Sequence, residues 1–240
     1  SAALFLGGVL SIDRRPVLSG VLIGLLTFKP HLGVVLPFAL VALGAWRVMA
    51  VAAATALAMF LVSTAMFGLD AWREYVSVVG AYQVRLLSDF GGFYTFMMVS
   101  VLASLRLAGM SYAVAWAIQM MVALCVIALS CWAVRRIADP CARAFLLASA
   151  ALLCTPYGFN YDMTAVGACL VWTMVGRLPQ HAEAGPVYSL IWLAPPIAMM
   201  LAIYEFGIAP VITLCSLVSL LALAALPALR GRQTSRLAAA

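Results

Sequence analysis

The chain has 240 residues, 66% of them hydrophobic and 9% charged, with a mean hydropathy of +1.11 and a net charge of +6. So much apolar surface with so few charges excludes a soluble domain and leaves an all-α, polytopic membrane protein; continuous apolar runs of about 20 residues, without alternation, exclude a β-barrel. The basic residues lie in short loops, which marks topology, and no basic stripe interleaved with aromatics suggests a nucleic-acid partner.

The chain starts at Ser1, already inside an apolar stretch and with no signal-peptide pattern, and reads as the C-terminal portion of a longer protein. Residues 1–10 are expected to end a helix, and the basic loop Ser11-Ile12-Asp13-Arg14-Arg15-Pro16 follows, with Pro16 suited to the first turn of the next helix. Residues 17–28 and 31–45 are each shorter than a full span and are separated by Lys29-Pro30, so they form either one kinked helix or a hairpin of two short helices. Residues 48–68 form a span. In 69–92, Trp72, Val76, Val79, Leu86 and Phe90 recur at helical spacing with the charges mostly off that stripe, which predicts an amphipathic helix lying in the membrane interface. A short or re-entrant helix at 93–107 precedes a span at 111–134. Asp139 and Pro140 are a good N-cap and first helical residue for 140–155, and further spans are expected at 158–176, 186–204 (kinked by Pro195-Pro196) and 207–229. Residues 1–229 thus read as one transmembrane helical domain and 230–240 as a basic cytoplasmic tail.

Cys125, Cys131, Cys141, Cys154, Cys169 and Cys215 are scattered through apolar stretches without a CxxC pair, and the histidines are His31 and His181. No metal site is expected, and the cysteines read as small buried hydrophobes.

Two polar clusters interrupt the apolar runs: Phe28-Lys29-Pro30-His31, and Thr155 to Asp162. Each contains a proline that frees backbone groups from helical pairing, which a membrane tolerates only where protein or water satisfies them. An ionisable group there is a functional-site hypothesis. Lys29 is suited to neutralise a phosphate as a compact point charge, with His31 donating to the same phosphate or to a sugar hydroxyl; the alternative is a snorkelling lysine beside a hydrogen-bonded histidine. Tyr157, Asn160, Tyr161 and Asp162 combine ring faces with planar amide and carboxylate groups, as sugar recognition requires, and Gly158 would let the backbone approach a ligand; the alternative is an aromatic belt. Arg73 and Arg85 are candidates for lipid-phosphate contacts or simply solvated, and Glu205 either joins the site or is an interfacial charge.

Placing the loops at 11–16, 135–143 and 177–185 and the C-terminus in the cytoplasm puts ten of the fourteen basic residues inside, if 17–45 is a hairpin. A single crossing helix gives a comparable bias, and either option puts Tyr157 to Asp162 on the outer face.

The run from Val21 to Gly33, which contains Gly24-Leu25-Leu26-Thr27-Phe28-Lys29-Pro30-His31, with Leu36-Pro37 and Trp46-Arg47, resembles glycosyltransferase family 87, bacterial membrane enzymes of the GT-C class that include polyprenyl-phosphomannose-dependent mannosyltransferases. Ser104 to Gly109, Thr155-Pro156-Tyr157 and Tyr161-Asp162 agree in spacing and type, so the likeness covers most of residues 5–175. The resemblance implies the C-terminal part of a GT-C-like fold in a bacterial inner membrane, transferring a hexose such as mannose from a polyprenyl-phosphate donor to an extracytoplasmic glycan or glycolipid, with no cofactor. It implies a catalytic carboxylate in an N-terminal extracytoplasmic loop that this chain lacks, and some relatives have histidines where this chain has Asn160 to Asp162. Two other readings are a secondary transporter, which also builds its site from broken helices, and an inactive lipid-binding component.

Overall fold

A computed structural model describes residues 1–177, 185–204, 206–207, 209–219 and 221 of the chain. Among them the protein is helical, with one isolated antiparallel bridge between Met98 and Phe159 and no strands. The helices are α1 (Ala2–Ser11), α2 (Pro16–Leu25), α3 (Leu36–Leu43), α4 (Trp46–Phe67), α5 (Leu69–Glu74), α6 (Gly80–Asp89), α7 (Phe93–Phe96), α8 (Val101–Leu107), α9 (Tyr112–Val134), α10 (Pro140–Cys154), α11 (Thr164–Arg177) and α12 (Gly185–Ala202), followed by α13 (Ala209–Ser219).

Two of them, α4 and α9, are long and apolar enough to cross a membrane. Along α4 only Val48 is buried, while Leu57, Leu61, Met66 and Phe67 face outward. Water would penalise that surface and a bilayer does not, so the chain is an all-α membrane protein. At the other extreme, every residue of α10 from Ala142 to Cys154 is buried, and α10 is the axis against which α1, α9 and α11 pack.

The direction of each helix follows from a few contacts. Arg143 near the start of α10 pairs with Asp13 at 2.7 Å, and Arg135 just after α9 donates from Nε to the Ala42 carbonyl at 2.7 Å. The 12–15 turn, the α3 end and the α9–α10 turn therefore share one end of the bundle, the arginine-rich end. Lys29, between α2 and α3, pairs with Asp162 beyond α10, at the opposite end. Residues 17–45 are thus a hairpin, which charge counting left open. The return leg is short because Pro30 and Pro37 interrupt it and Gly44, at φ 66°, closes α3 in the left-handed conformation that glycine accepts readily.

Helices α2 and α4 run parallel in close contact. A Cβ on Gly20 would lie 2.5 Å from Val51 Cβ, and one on Gly24 would lie 2.5 Å from Thr55 Cβ and 2.6 Å from the Ala52 carbonyl. This is a glycine pair at four-residue spacing that lets two backbones meet.

Several expectations change. The span expected from 158 starts as an α-helix only at Thr164, because 155–159 remain non-helical and Asn160–Met163 form a 3-10 turn. The 93–107 helix is split, since 97–100 leave the helix to pair with the second polar cluster. Residues 69–89 are helical, but Tyr75–Val79 form a π turn whose wider winding leaves Val76 exposed, off the expected stripe. Of the cysteines, only Cys154 and Cys169 are buried and Cys125 is exposed; on a membrane helix a small apolar side chain faces lipid as readily as the core. Pro195 and Pro196 lie inside α12. His181, Glu205 and the 230–240 tail lie outside the described residues.

Candidate active site

Proline sets the geometry of the first cluster. Pro30 disfavours a helical conformation for the residue before it, and Lys29 takes φ −130° and ψ 68°. The end of α2 tightens into the 3-10 turn Leu26–Phe28, and Lys29 N–H caps it on the Leu26 carbonyl at 2.8 Å. The turn Pro30–Gly33 follows, carrying His31 on the same side as Lys29.

The second cluster is built against 97–99. Val99 N–H donates to Gly158 O at 2.8 Å and Asn160 N–H to Met97 O at 3.0 Å. Tyr157 N–H donates to Thr155 Oγ1 at 3.1 Å, and Phe159 N–H to Asp162 Oδ2 at 3.2 Å. A Cβ on Gly158 would stand 3.2 Å from Thr155 Cγ2. The close approach expected at Gly158 is therefore made to the chain itself.

The two clusters meet at Asp162. Lys29 Nζ lies 2.5 Å from Oδ1, and His31 Nε2 lies 3.4 Å from Oδ2. The carboxylate is wholly buried, whereas the Lys29 and His31 side chains are about one quarter exposed. Behind the carboxylate a cavity of only about 10 Å³, lined by Phe5, Leu32, Ala148 and Leu152 among others, leaves no room for a ligand on that side. Burial pushes the Asp162 carboxyl up, but hydrogen bonds from His31, Lys29 and the Phe159 amide, together with the Lys29 charge, outweigh it and hold the group below its ordinary range.

Lys29 Nζ also sits 4.5 Å above the Tyr161 ring, which stacks on Phe159 at 5.3 Å and 8°. Tyr161 is half exposed, its hydroxyl pushed up by burial, then by the Asp162 charge and by Tyr94. The accessible face of the site thus offers a cation, an imidazole and an aromatic ring, with the anion sealed beneath them.

Lys29, His31 and Tyr161 are therefore gathered around Asp162, the first two paired with its carboxylate and Tyr161 beneath the Lys29 ammonium. Asn160 is turned away: its Nδ2 donates to Pro195 O at 3.2 Å and its Oδ1 accepts Tyr161 N–H at 2.9 Å, which ties the loop to α12. Tyr157 packs on the small core around Met98, Leu102 and Ala115. Arg73 pairs with exposed Asp70 at 2.8 Å, and Arg85 is exposed on α6, with no ion pair to the cluster among the described residues. Arg106, in a motif stretch, donates to the Met110 carbonyl at 2.7 Å and the Ser88 carbonyl at 2.9 Å, holding α6 against the α8–α9 turn. Sequence reading missed Phe159, whose amide and ring both shape the site, and Gln119. Buried Gln119 accepts from Leu102 N–H and donates to Leu153 O, both at 2.9 Å, and so fixes α8 and α10 beneath the loop. A glutamine inside an apolar 23-residue helix was the available signal. Among the described residues no three metal-ligating side chains converge.

No curated protein matches the chain, and no solved structure does. The family model described as glycosyltransferase family 87 matches residues 1–156, which contain the Lys29-Pro30 break and end just before the Tyr157 to Asp162 turn. Spanning well over half of this apolar, helical chain, that match shows that it belongs to glycosyltransferase family 87 and is a membrane glycosyltransferase.

Proposed function

We propose that the protein transfers a hexose, such as mannose, from a polyprenyl-phosphate carrier to a glycan or glycolipid acceptor on the extracytoplasmic face of a bacterial inner membrane, without a cofactor. The observation that carries this reading is Lys29: a partly exposed ammonium held by a buried carboxylate at a proline break, beside an apolar cavity of about 410 Å³ between the α2–α3 hairpin and α4. Thr27, Pro30 and Gly33, close to Lys29 in the chain, line one part of that cavity, and Leu40, Met49 and Ala56 line another. A charged head beside an oily groove suits a phosphate attached to a long hydrocarbon.

In the transfer, the bond from sugar C1 to phosphate oxygen breaks as the acceptor oxygen bonds C1, and the acceptor proton leaves to a base. Charge builds on the departing phosphate. Lys29 has three N–H donors and gives one to Asp162, leaving others for that oxygen. His31 donates to the phosphate or to a sugar hydroxyl, and the exposed Tyr161 ring receives a sugar face. Asp162, buried and ionised, positions the Lys29 ammonium and the His31 imidazole; the acceptor's proton goes to a different residue. Family membership favours transfer over the transporter and inactive-component readings.

The test is a transfer assay with purified protein and a polyprenyl-phosphate hexose. Lys29→Ala should remove about 2–4 kcal/mol of transition-state stabilisation, a rate loss on the order of 30- to 1000-fold. Near-normal turnover would return Lys29 to a snorkelling role.

A further inference from the structure

At the arginine-rich end, far from Lys29, the α3 and α9 ends enclose a cavity of about 510 Å³ lined by Phe38, Val41, Cys131, Trp132, Arg135 and Arg136. Its chemistry is divided. Phe38, Val41 and Trp132 are each close to half exposed and form an apolar wall on the outside of the bundle. Arg135 uses Nε on the Ala42 carbonyl, and its two terminal nitrogens have no hydrogen bond among the described residues. Arg136 donates one N–H to the Trp132 carbonyl at 3.0 Å and lies 4.2 Å over the Trp132 ring, which stiffens the guanidinium at the cavity rim.

We propose that this cavity binds one anionic phospholipid from the leaflet at the arginine-rich end. The two guanidiniums would share the phosphate, and an acyl chain would lie along Phe38 and Val41. Three features favour a lipid over other occupants. Both arginines sit at helix ends where a spanning helix meets the headgroups, the walls beside them are apolar, and a basic recess between membrane helices is the kind of site that takes anionic headgroups. The basic 230–240 segment, with Arg230, Arg232 and Arg236, has the wrong charge to fill it. The site is independent of the transfer chemistry at Lys29.

Native mass spectrometry of the delipidated protein with added phosphatidylglycerol, against phosphatidylcholine of the same acyl chains, tests the proposal. Wild type should retain one phosphatidylglycerol at least tenfold more tightly than phosphatidylcholine. The Arg135→Gln/Arg136→Gln variant should lose that preference. Arg136→Gln alone, which leaves the Arg135–Ala42 bond intact, should weaken it several-fold if the double variant proves unstable. Arg14→Gln/Arg15→Gln, at the same end but outside the cavity, should keep it. Equal retention by Arg136→Gln and wild type would overturn the site, as would equal loss in Arg14→Gln/Arg15→Gln, which would mean general charge attraction. Displacement of the lipid by millimolar inorganic phosphate would overturn the lipid assignment in favour of a free anion.

Discussion

Asp162 concentrates the energetics of the site at the scale of single residues. Its carboxylate is buried, and removing Lys29 leaves that charge, among the described residues, with His31 and one backbone amide. Breaking a buried pair from one side costs about 3–5 kcal/mol, whereas replacing both partners with apolar groups is often close to neutral. Lys29 is partly exposed, so a cost near the lower bound is expected. Lys29→Met should therefore lower the melting temperature in detergent, and Lys29→Met/Asp162→Leu should recover most of that loss without recovering turnover. Recovery of both would place the pair in folding alone. The depressed Asp162 carboxyl also gives a signed pH dependence. Its contribution is complete above the ordinary value of 3.8 and is lost as pH falls through the lower folded value. Melting curves taken between about pH 6 and about pH 3 should show the stability gap between wild type and Asp162→Asn closing at the acid end. A gap that stays constant would contradict the ionised, paired carboxylate.

Among the elements, the contact of α2 with α4 positions the Lys29 break. Gly24 lies five residues before Lys29, and its carbonyl accepts the Thr27 hydroxyl at 2.8 Å. Gly24→Ala places a methyl 2.6 Å from the Ala52 carbonyl, which cannot yield, so the helices must separate. Overpacking of this kind costs about 1–3 kcal/mol. Thermal unfolding should show that loss, and turnover should fall as well because Lys29 shifts away from Asp162. For the unfolding measurement Gly33→Ala is the control, since its Cβ would meet nothing nearer than 3.9 Å. An unaltered melting temperature in Gly24→Ala would refute the close contact. The π turn at Tyr75–Val79 shows the limit of periodicity as a guide: one wider turn moved Val76 off a stripe that Trp72, Val79, Leu86 and Phe90 still follow.

For the molecule as a whole, the bundle has two chemically different ends. Arg14, Arg15, Arg47, Arg135, Arg136 and Arg143 lie at one, and Lys29, His31 and Asp162 at the other. Positive residues favour the cytoplasmic side, so the proposed function puts the site on the outward face. In a cysteine-free background, Gly91→Cys should react with an impermeant thiol reagent added to intact cells, and Ala138→Cys should react only after permeabilisation. The reverse pattern would invert the topology and with it the face of transfer.

The sequence by itself determined the class, most helices and the two polar breaks. Hydropathy and proline act mainly through neighbouring residues, so their effect can be read locally. It also singled out Lys29 and Asp162, because charges in an apolar chain are conspicuous. What it did not contain was their pairing across 133 positions, the burial of Asp162 beneath Lys29 and His31, or the turning of Asn160 toward Pro195. Those depend on α2 and α3 forming a hairpin that returns to the arginine-rich end, and loop charge was nearly indifferent between that and one crossing helix. Only packing decided it. Gly20 and Gly24 hold α2 parallel to α4, and Arg135 reaches the end of α3, so the Lys29 break stands at the same end of the bundle as the turn that follows α10.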